Sequence, residues 1–116
     1  MSITVAPVGN SRILSVGTYR PKRVVPNSEI VDRIDSTDEW IVQRTGIESR
    51  RFAGDDETVI SMAKAACEIA LKRAKLTIAD IDTVILSTIS YPFQAPSAAT
   101  ELINELGNPK AAAFDI

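Results

Sequence analysis

The 116-residue chain is 45% hydrophobic and 24% charged with a formal net charge of −2, the make-up of a soluble globular chain sized for one modest domain and too short for two. That balance argues against a dedicated nucleic-acid binder, which carries a basic face, and no apolar run approaches the roughly 20 residues that span a bilayer. With no His and one Cys, the chain cannot by itself supply a Ser-His or Cys-His pair, an internal disulfide or a zinc site of the usual ligands.

Residues 1–10 lack the basic, apolar and small-residue succession of a secretory signal. Together with the absence of disulfides this fits a reducing cytoplasm. Met1–Asn10 reads as a loose extension or a poorly placed first strand. Arg12–Tyr19 is rich in strand formers, with Gly17 marking a close backbone approach. Pro21 and Pro26 make Arg20–Pro26 a turn-rich connection. Asn27 suits the N-cap of a short helix over Ser28–Ile34. Ser36 followed by Glu39 forms a capping-box pattern that opens a helix, and Gly46 closes it. Ile47–Phe52 then reads as a short strand carrying Arg50 and Arg51.

Ala53–Glu57 is a polar loop whose acids suit the start of the next helix. That helix is predicted over Thr58–Lys75, where Val59, Met62, Ala63, Ala66, Ile69 and Ala70 follow the 3.6-residue period. Thr77 through Asp80 makes a brief capped turn. Thr83–Thr88 is β-branched and mostly apolar, as in a strand covered on both faces of a parallel sheet. Ser90–Ala95 is a loop, Pro96 suits the first turn of a helix over Ser97–Leu106, and Gly107 is its stop. Ala111–Ile116 resembles another buried strand. The alternation places the chain in the α/β class with a largely parallel sheet. Ligands of such sheets lie beyond the carboxyl ends of strands, so the stop at Asp115-Ile116 predicts a fragment of a longer chain or one half of a split one.

The stretch Ser36–Ile47 carries the most specific chemistry. It holds the chain's only Trp, and Arg44 follows Trp40 by four residues, hence on one helix face. The pair reads in two ways. Trp40 is a core residue with Arg44 on a carboxylate, or the two side chains grip a heteroaromatic ring and a phosphate together. Cys67 lies mid-helix with no activating partner and reads as structural. Asp55, Asp56 and Glu57 lack the spacing of a calcium loop, and no Gly-rich phosphate loop occurs. Arg44, Arg50 and Arg51 could meet an anionic ligand.

Three segments together resemble the β-ketoacyl-acyl-carrier-protein synthase III family: Gly17-Thr18-Tyr19-Arg20-Pro21, the run Asp38-Glu39-Trp40-Ile41 through Arg44-Thr45-Gly46-Ile47, and Ala113-Phe114-Asp115-Ile116. Asp56-Glu57-Thr58 and Pro96-Ser97-Ala98-Ala99 match in order and spacing. The resemblance implies the thiolase-like fold, two similar halves stacked as αβαβα layers, with residues 1–116 forming the front part of the first half. It further implies the initiating step of type II fatty-acid synthesis. An acyl group passes from CoA to a cysteine, and malonyl-acyl-carrier protein then decarboxylates and condenses with it. The family's Cys follows the strand matching Ala113–Ile116, and its His and Asn come later, so no catalytic residue is expected in this chain and the chain alone is expected to be inactive.

What the resemblance carries over is part of the CoA entrance. Trp40 matches the Trp that stacks on the adenine, Arg44 the Arg near the CoA phosphates, and Ser36 the hydroxyl residue that contacts the adenine. The loop before Pro96 resembles the one that reaches across the family's dimer to close the partner's acyl pocket. Some members place Phe there and this chain has Ala95, which implies a longer pocket and tolerance of primers longer than acetyl. The expected partners are acyl-CoA, malonyl-acyl-carrier protein, the remainder of the enzyme and a second copy, with no cofactor, metal, nucleic acid or membrane. Two alternatives remain: a starter-unit condensing enzyme of polyketide synthesis, and a non-catalytic fragment that binds CoA or assembles with a partner.

Overall fold

The computed structural model describes residue 9 and residues 11–116; apart from Gly9, the expectation for Met1–Asn10 lies outside the described residues. Among the described residues there are four strands, β1 (Arg23–Pro26), β2 (Ser49–Phe52), β3 (Thr83–Leu86) and β4 (Ala112–Asp115), and four helices, α1 (Val31–Ile34), α2 (Asp38–Thr45), α3 (Val59–Ala74) and α4 (Ala98–Leu106); α1 and α2 follow one another between β1 and β2, and from β2 onward strand and helix alternate. The strands form two separate pairs. β3 and β4 run parallel, with Thr83 opposite Ala112 and Leu86 opposite Asp115, and α4 is the crossover between them. β1 and β2 run antiparallel, with Val25 opposite Arg50.

Helix α3 begins where Thr58 and Ser61 satisfy each other's backbone amides in a capping box, and it ends at Lys75 in the left-handed conformation. Its apolar stripe and that of α4 meet over β3 and β4. Ile60, Leu86, Ala98, Ala99 and Leu102 form the buried cluster, with Val59, Ala63, Cys67, Val84 and Ala113 packed around it. Ala98 and Ala99 are fully buried, and their small side chains let α4 lie close to the sheet. Full burial of Leu102 alone is worth on the order of 1.5–3 kcal/mol. Gly107 ends α4 with φ at 88°, a conformation that favours glycine. Asn108 then donates to the carbonyls of Ile78 (3.0 Å) and Ile81 (3.1 Å), tying the exit of α4 to the turn before β3.

Besides the covered faces expected of β3 and β4, where Ile85 is 55% and Phe114 46% exposed, four local expectations differ from the structure. Arg12–Tyr19 pairs with no strand among the described residues. It lies along α3 instead, where the Ser15 hydroxyl donates to Ala70 O at 2.7 Å and Arg73 donates to Val16 O at 2.6 Å. Gly17 makes the expected close approach, since a Cβ there would fall 1.9 Å from Ala66 O and 2.6 Å from Ala70 N. Second, Arg20–Pro26 is not only a turn, because its last four residues are β1. Pro26 ends that strand, where a missing N–H costs least. The sheet is therefore less uniformly parallel than the alternation suggests. Third, Pro96 precedes the N-cap Ser97 rather than sitting in the first turn of α4. Fourth, Asn27 caps no helix. It opens a short 3₁₀ turn ahead of a single-turn α1, and its side chain is spent on tertiary partners.

Candidate functional site

Helix α2 carries the residues singled out in Ser36–Ile47. Its N-cap is Thr37, whose hydroxyl accepts from Trp40 N at 3.2 Å. The cap is thus one residue later than expected, and the expected capping box of Ser36 and Glu39 does not form, because the residue three after Thr37 is Trp40. Ser36 precedes the cap, and its Oγ is buried without a hydrogen-bond partner. Gly46 closes the helix with φ at 69°, as expected. Only Ile41 of α2 is buried, so the helix rests on the body through one side and presents the rest to solvent.

Trp40 and Arg44 are on that outer face. The guanidinium carbon of Arg44 lies 5.3 Å from the centre of the Trp40 ring, in cation–π contact. Trp40 is 53% exposed, and Arg44 makes no ion pair among the described residues. In this chain neither half of the core reading holds. Ser36, Thr37 and Trp40, with Ile34 and Asp35, line an open recess of about 320 Å³. The structure therefore brings Ser36 and Trp40 to one recess, with Arg44 stacked on Trp40 at 5.3 Å. Arg44 also stands in the last turn of α2, where a cation meets the negative end of the helix dipole.

Asn27 fixes this shelf to the body. It is 1% exposed, and its amide nitrogen donates to Asp38 Oδ1 (2.6 Å) and Ile47 O (2.8 Å), while its oxygen accepts from Arg50 Nη2 at 2.5 Å. Asp38 opens α2 and Ile47 follows its stop, so one side chain holds both ends of the helix against β2. Sequence reasoning placed Asn27 at a cap because Asn favours caps; nothing local marks it as a tertiary hub.

Ala95 lies apart from this recess, exposed in the loop before α4. In that loop Tyr91 meets Phe93 edge to face with ring centres 5.6 Å apart, and the Tyr91 hydroxyl donates to Glu101. That bond, to a carboxylate, pushes the Tyr91 pKa up to about 12. Asp115 caps α4 from β4, its two oxygens accepting from Ala98 N (2.8 Å) and Ala99 N (2.7 Å). Cys67 is half-buried on α3, and burial first, then the nearby Glu68, raises its thiol pKa. A raised thiol is the opposite of an activated nucleophile. Among the described residues no three His, Cys, Asp or Glu side chains gather as metal ligands, and no helix is long and apolar enough to cross a membrane.

No family model matches the chain. Among curated proteins, β-ketoacyl-[acyl-carrier-protein] synthase III 1 of Streptomyces avermitilis is 52% identical over 106 residues, which cover 91% of this chain and 30% of that protein. Over nine-tenths of its length the chain is similar to members of the β-ketoacyl-[acyl-carrier-protein] synthase III family. It spans about 30% of the length of this synthase III relative. The priming β-ketosynthase of the R1128 polyketide pathway is 43% identical with a TM-score of 0.89, covering 100% of this chain and 35% of that structure. Synthase III from Aquifex aeolicus VF5 is 38% identical with a TM-score of 0.84, covering 92% of this chain and 34% of that structure. The synthase III fold is thiolase-like, as expected.

Proposed function

We propose that this chain supplies part of the acyl-CoA entrance of a β-ketoacyl-acyl-carrier-protein synthase III, the enzyme that initiates type II fatty-acid synthesis. The observation that carries the reading is the outward-facing pair on α2, Trp40 with the Arg44 guanidinium 5.3 Å from its ring centre, beside the recess lined by Ser36. An exposed indole offers a flat face to an adenine. The guanidinium stacked over the ring offers charge-assisted hydrogen bonds to phosphate. Ser36, a hydroxyl residue, lines the recess beside that indole.

In the complete protein the acyl group moves from the CoA thioester to a cysteine sulfur, and CoA leaves as its thiol. Malonyl-acyl-carrier protein then loses CO₂. The electron pair left on carbon attacks the acyl-cysteine carbonyl, and the cysteine departs as the β-ketoacyl product forms. Thioesters supply the activation at both steps, so the reading includes no metal or cofactor. It assigns no catalytic residue to this chain, which has no His and whose Cys67 has a raised thiol pKa. Residues 1–116 act as the front part of the first half-domain, in a cytoplasmic homodimer whose other segments carry the chemistry. Ala95, in the loop before α4, shapes the acyl pocket.

The test uses the complete enzyme. Trp40→Ala and Arg44→Ala should each raise the acyl-CoA KM by about ten-fold, the scale of one base–aromatic stack or one charged hydrogen bond, while use of malonyl-carrier protein changes less. Unchanged acyl-CoA kinetics in both variants overturns the assignment. A second reading, a priming enzyme of polyketide synthesis, is favoured by the similarity to the R1128 priming β-ketosynthase. It keeps the shelf and changes the carrier, so faster turnover with a polyketide carrier protein than with the fatty-acid carrier decides for it.

A further inference from the structure

The β1–β2 ribbon carries a second basic feature that the CoA shelf does not use. In an antiparallel pair, residues opposite one another share a face and neighbours along a strand alternate. Val24 faces Arg51 and Pro26 faces Ser49, so Arg51, Ser49 and Val24 share the outer face, while Arg50 goes with buried Val25. Arg20 approaches from the segment before β1. Together Arg20, Val24, Ser49, Arg50 and Arg51 line an open cleft of about 360 Å³.

The charge in this cleft is uncompensated. Lys22 pairs with Asp56 and Arg23 with Glu29, and Glu57 is taken by Tyr19 and two backbone amides. Among the described residues no carboxylate lies within ion-pair distance of Arg20, Arg50 or Arg51. Arg51 is held in place by carbonyls, donating from Nη1 to Pro21 O (3.2 Å) and Lys22 O (3.1 Å). Arg50 gives Nη2 to Asn27, and its Nη1 is buried without a partner. Arg20 makes no hydrogen bond among the described residues. An anchored guanidinium, a free one, a third behind them and a hydroxyl form a donor set that matches a group with three terminal oxygens and up to two negative charges. A carboxylate, with two oxygens and one charge, would leave part of that set unused.

We infer that the cleft between Arg20 and the outer face of β2 binds a phosphoryl group, with Arg20, Arg51 and the Ser49 hydroxyl as its donors. The inference is independent of the CoA reading, because it uses no residue of α2.

Equilibrium dialysis of radiolabelled inorganic phosphate at low ionic strength tests it on the complete enzyme. Saturable binding should persist in Arg44→Ala, which removes the shelf guanidinium, and weaken about ten-fold in Arg20→Gln and in Arg51→Gln, the scale of one charged hydrogen bond. It should also fall as salt rises, because the donors are exposed. Arg51 supports the backbone of the preceding segment, so the Arg20 variant, which breaks no bond of the fold, is the decisive one. Absence of saturable binding overturns the inference. So does binding lost in Arg44→Ala but retained in Arg20→Gln, and so does acetate competing as well as sulfate.

Discussion

The side-chain oxygen of Asn27 accepts from Arg50 Nη2 at 2.5 Å, joining the start of a 3₁₀ turn to the middle of β2 across 23 residues of sequence. Through its other two bonds Asn27 also holds both ends of α2. Asn27→Ala therefore leaves Asp38, Ile47 O and Arg50 each short of a partner. Stability should fall by about 1–3 kcal/mol, the cost of buried polar groups left unpaired. In the complete enzyme the acyl-CoA KM should rise while kcat changes less, since the shelf shifts and the chemistry does not. Urea denaturation and steady-state kinetics check both parts; lost stability with an unchanged KM limits Asn27 to the fold.

Asp115 should behave as a helix cap placed in a strand. Its two oxygens satisfy consecutive amides of α4, which a helix otherwise leaves unpaired at its start. Asp115→Ala should cost about 1–2 kcal/mol, measured as a shift in the urea midpoint. Asp115→Asn should recover only part of it, because an amide offers one acceptor oxygen to two N–H groups.

Glu57 predicts an acid-sensitive component of stability. The Tyr19 hydroxyl first, then the Gly54 amide at 2.9 Å and the Lys22 amide at 3.1 Å, hold its pKa below the ordinary 4.5 against the opposing effect of desolvation. A carboxylate with a depressed folded-state pKa contributes fully above its unfolded value and loses that contribution as pH falls through the folded one. Glu57→Gln should thus be less stable than the parent at neutral pH, and the gap should close on acidification below about pH 4.5. Stability measured in urea from neutral to acidic pH checks this; a gap independent of pH refutes the linkage.

Ala95 predicts primer range. If the loop before α4 closes the acyl pocket, as proposed, Ala95→Phe should shorten it. Relative kcat/KM for longer acyl-CoA primers over acetyl-CoA should then drop by about ten-fold or more, the discrimination available from one or two methylenes of fit. A chain-length series of primers on the complete enzyme gives the result, and an unchanged profile removes Ala95 from the pocket.

The sequence by itself determined what short-range chemistry controls. The 3.6-residue stripe and the Thr58 cap define α3, Gly46 and Gly107 stop α2 and α4, and the i, i+4 spacing puts Trp40 against Arg44. Each depends on residues within a few positions of one another. The family was also legible, since its motifs are contiguous runs. Tertiary structure alone decided what long-range pairing controls. Arg23–Pro26 is a strand because Ser49–Phe52 runs beside it, whereas Arg12–Tyr19, richer in strand formers, lies against α3 with no partner strand among the described residues. Asn27, Glu57 and Asp115 look like a cap, a loop acid and a strand end until residues 11 to 38 positions away meet them. A buried polar side chain must find a partner wherever the fold supplies one, and local spacing carries no record of which partner that is.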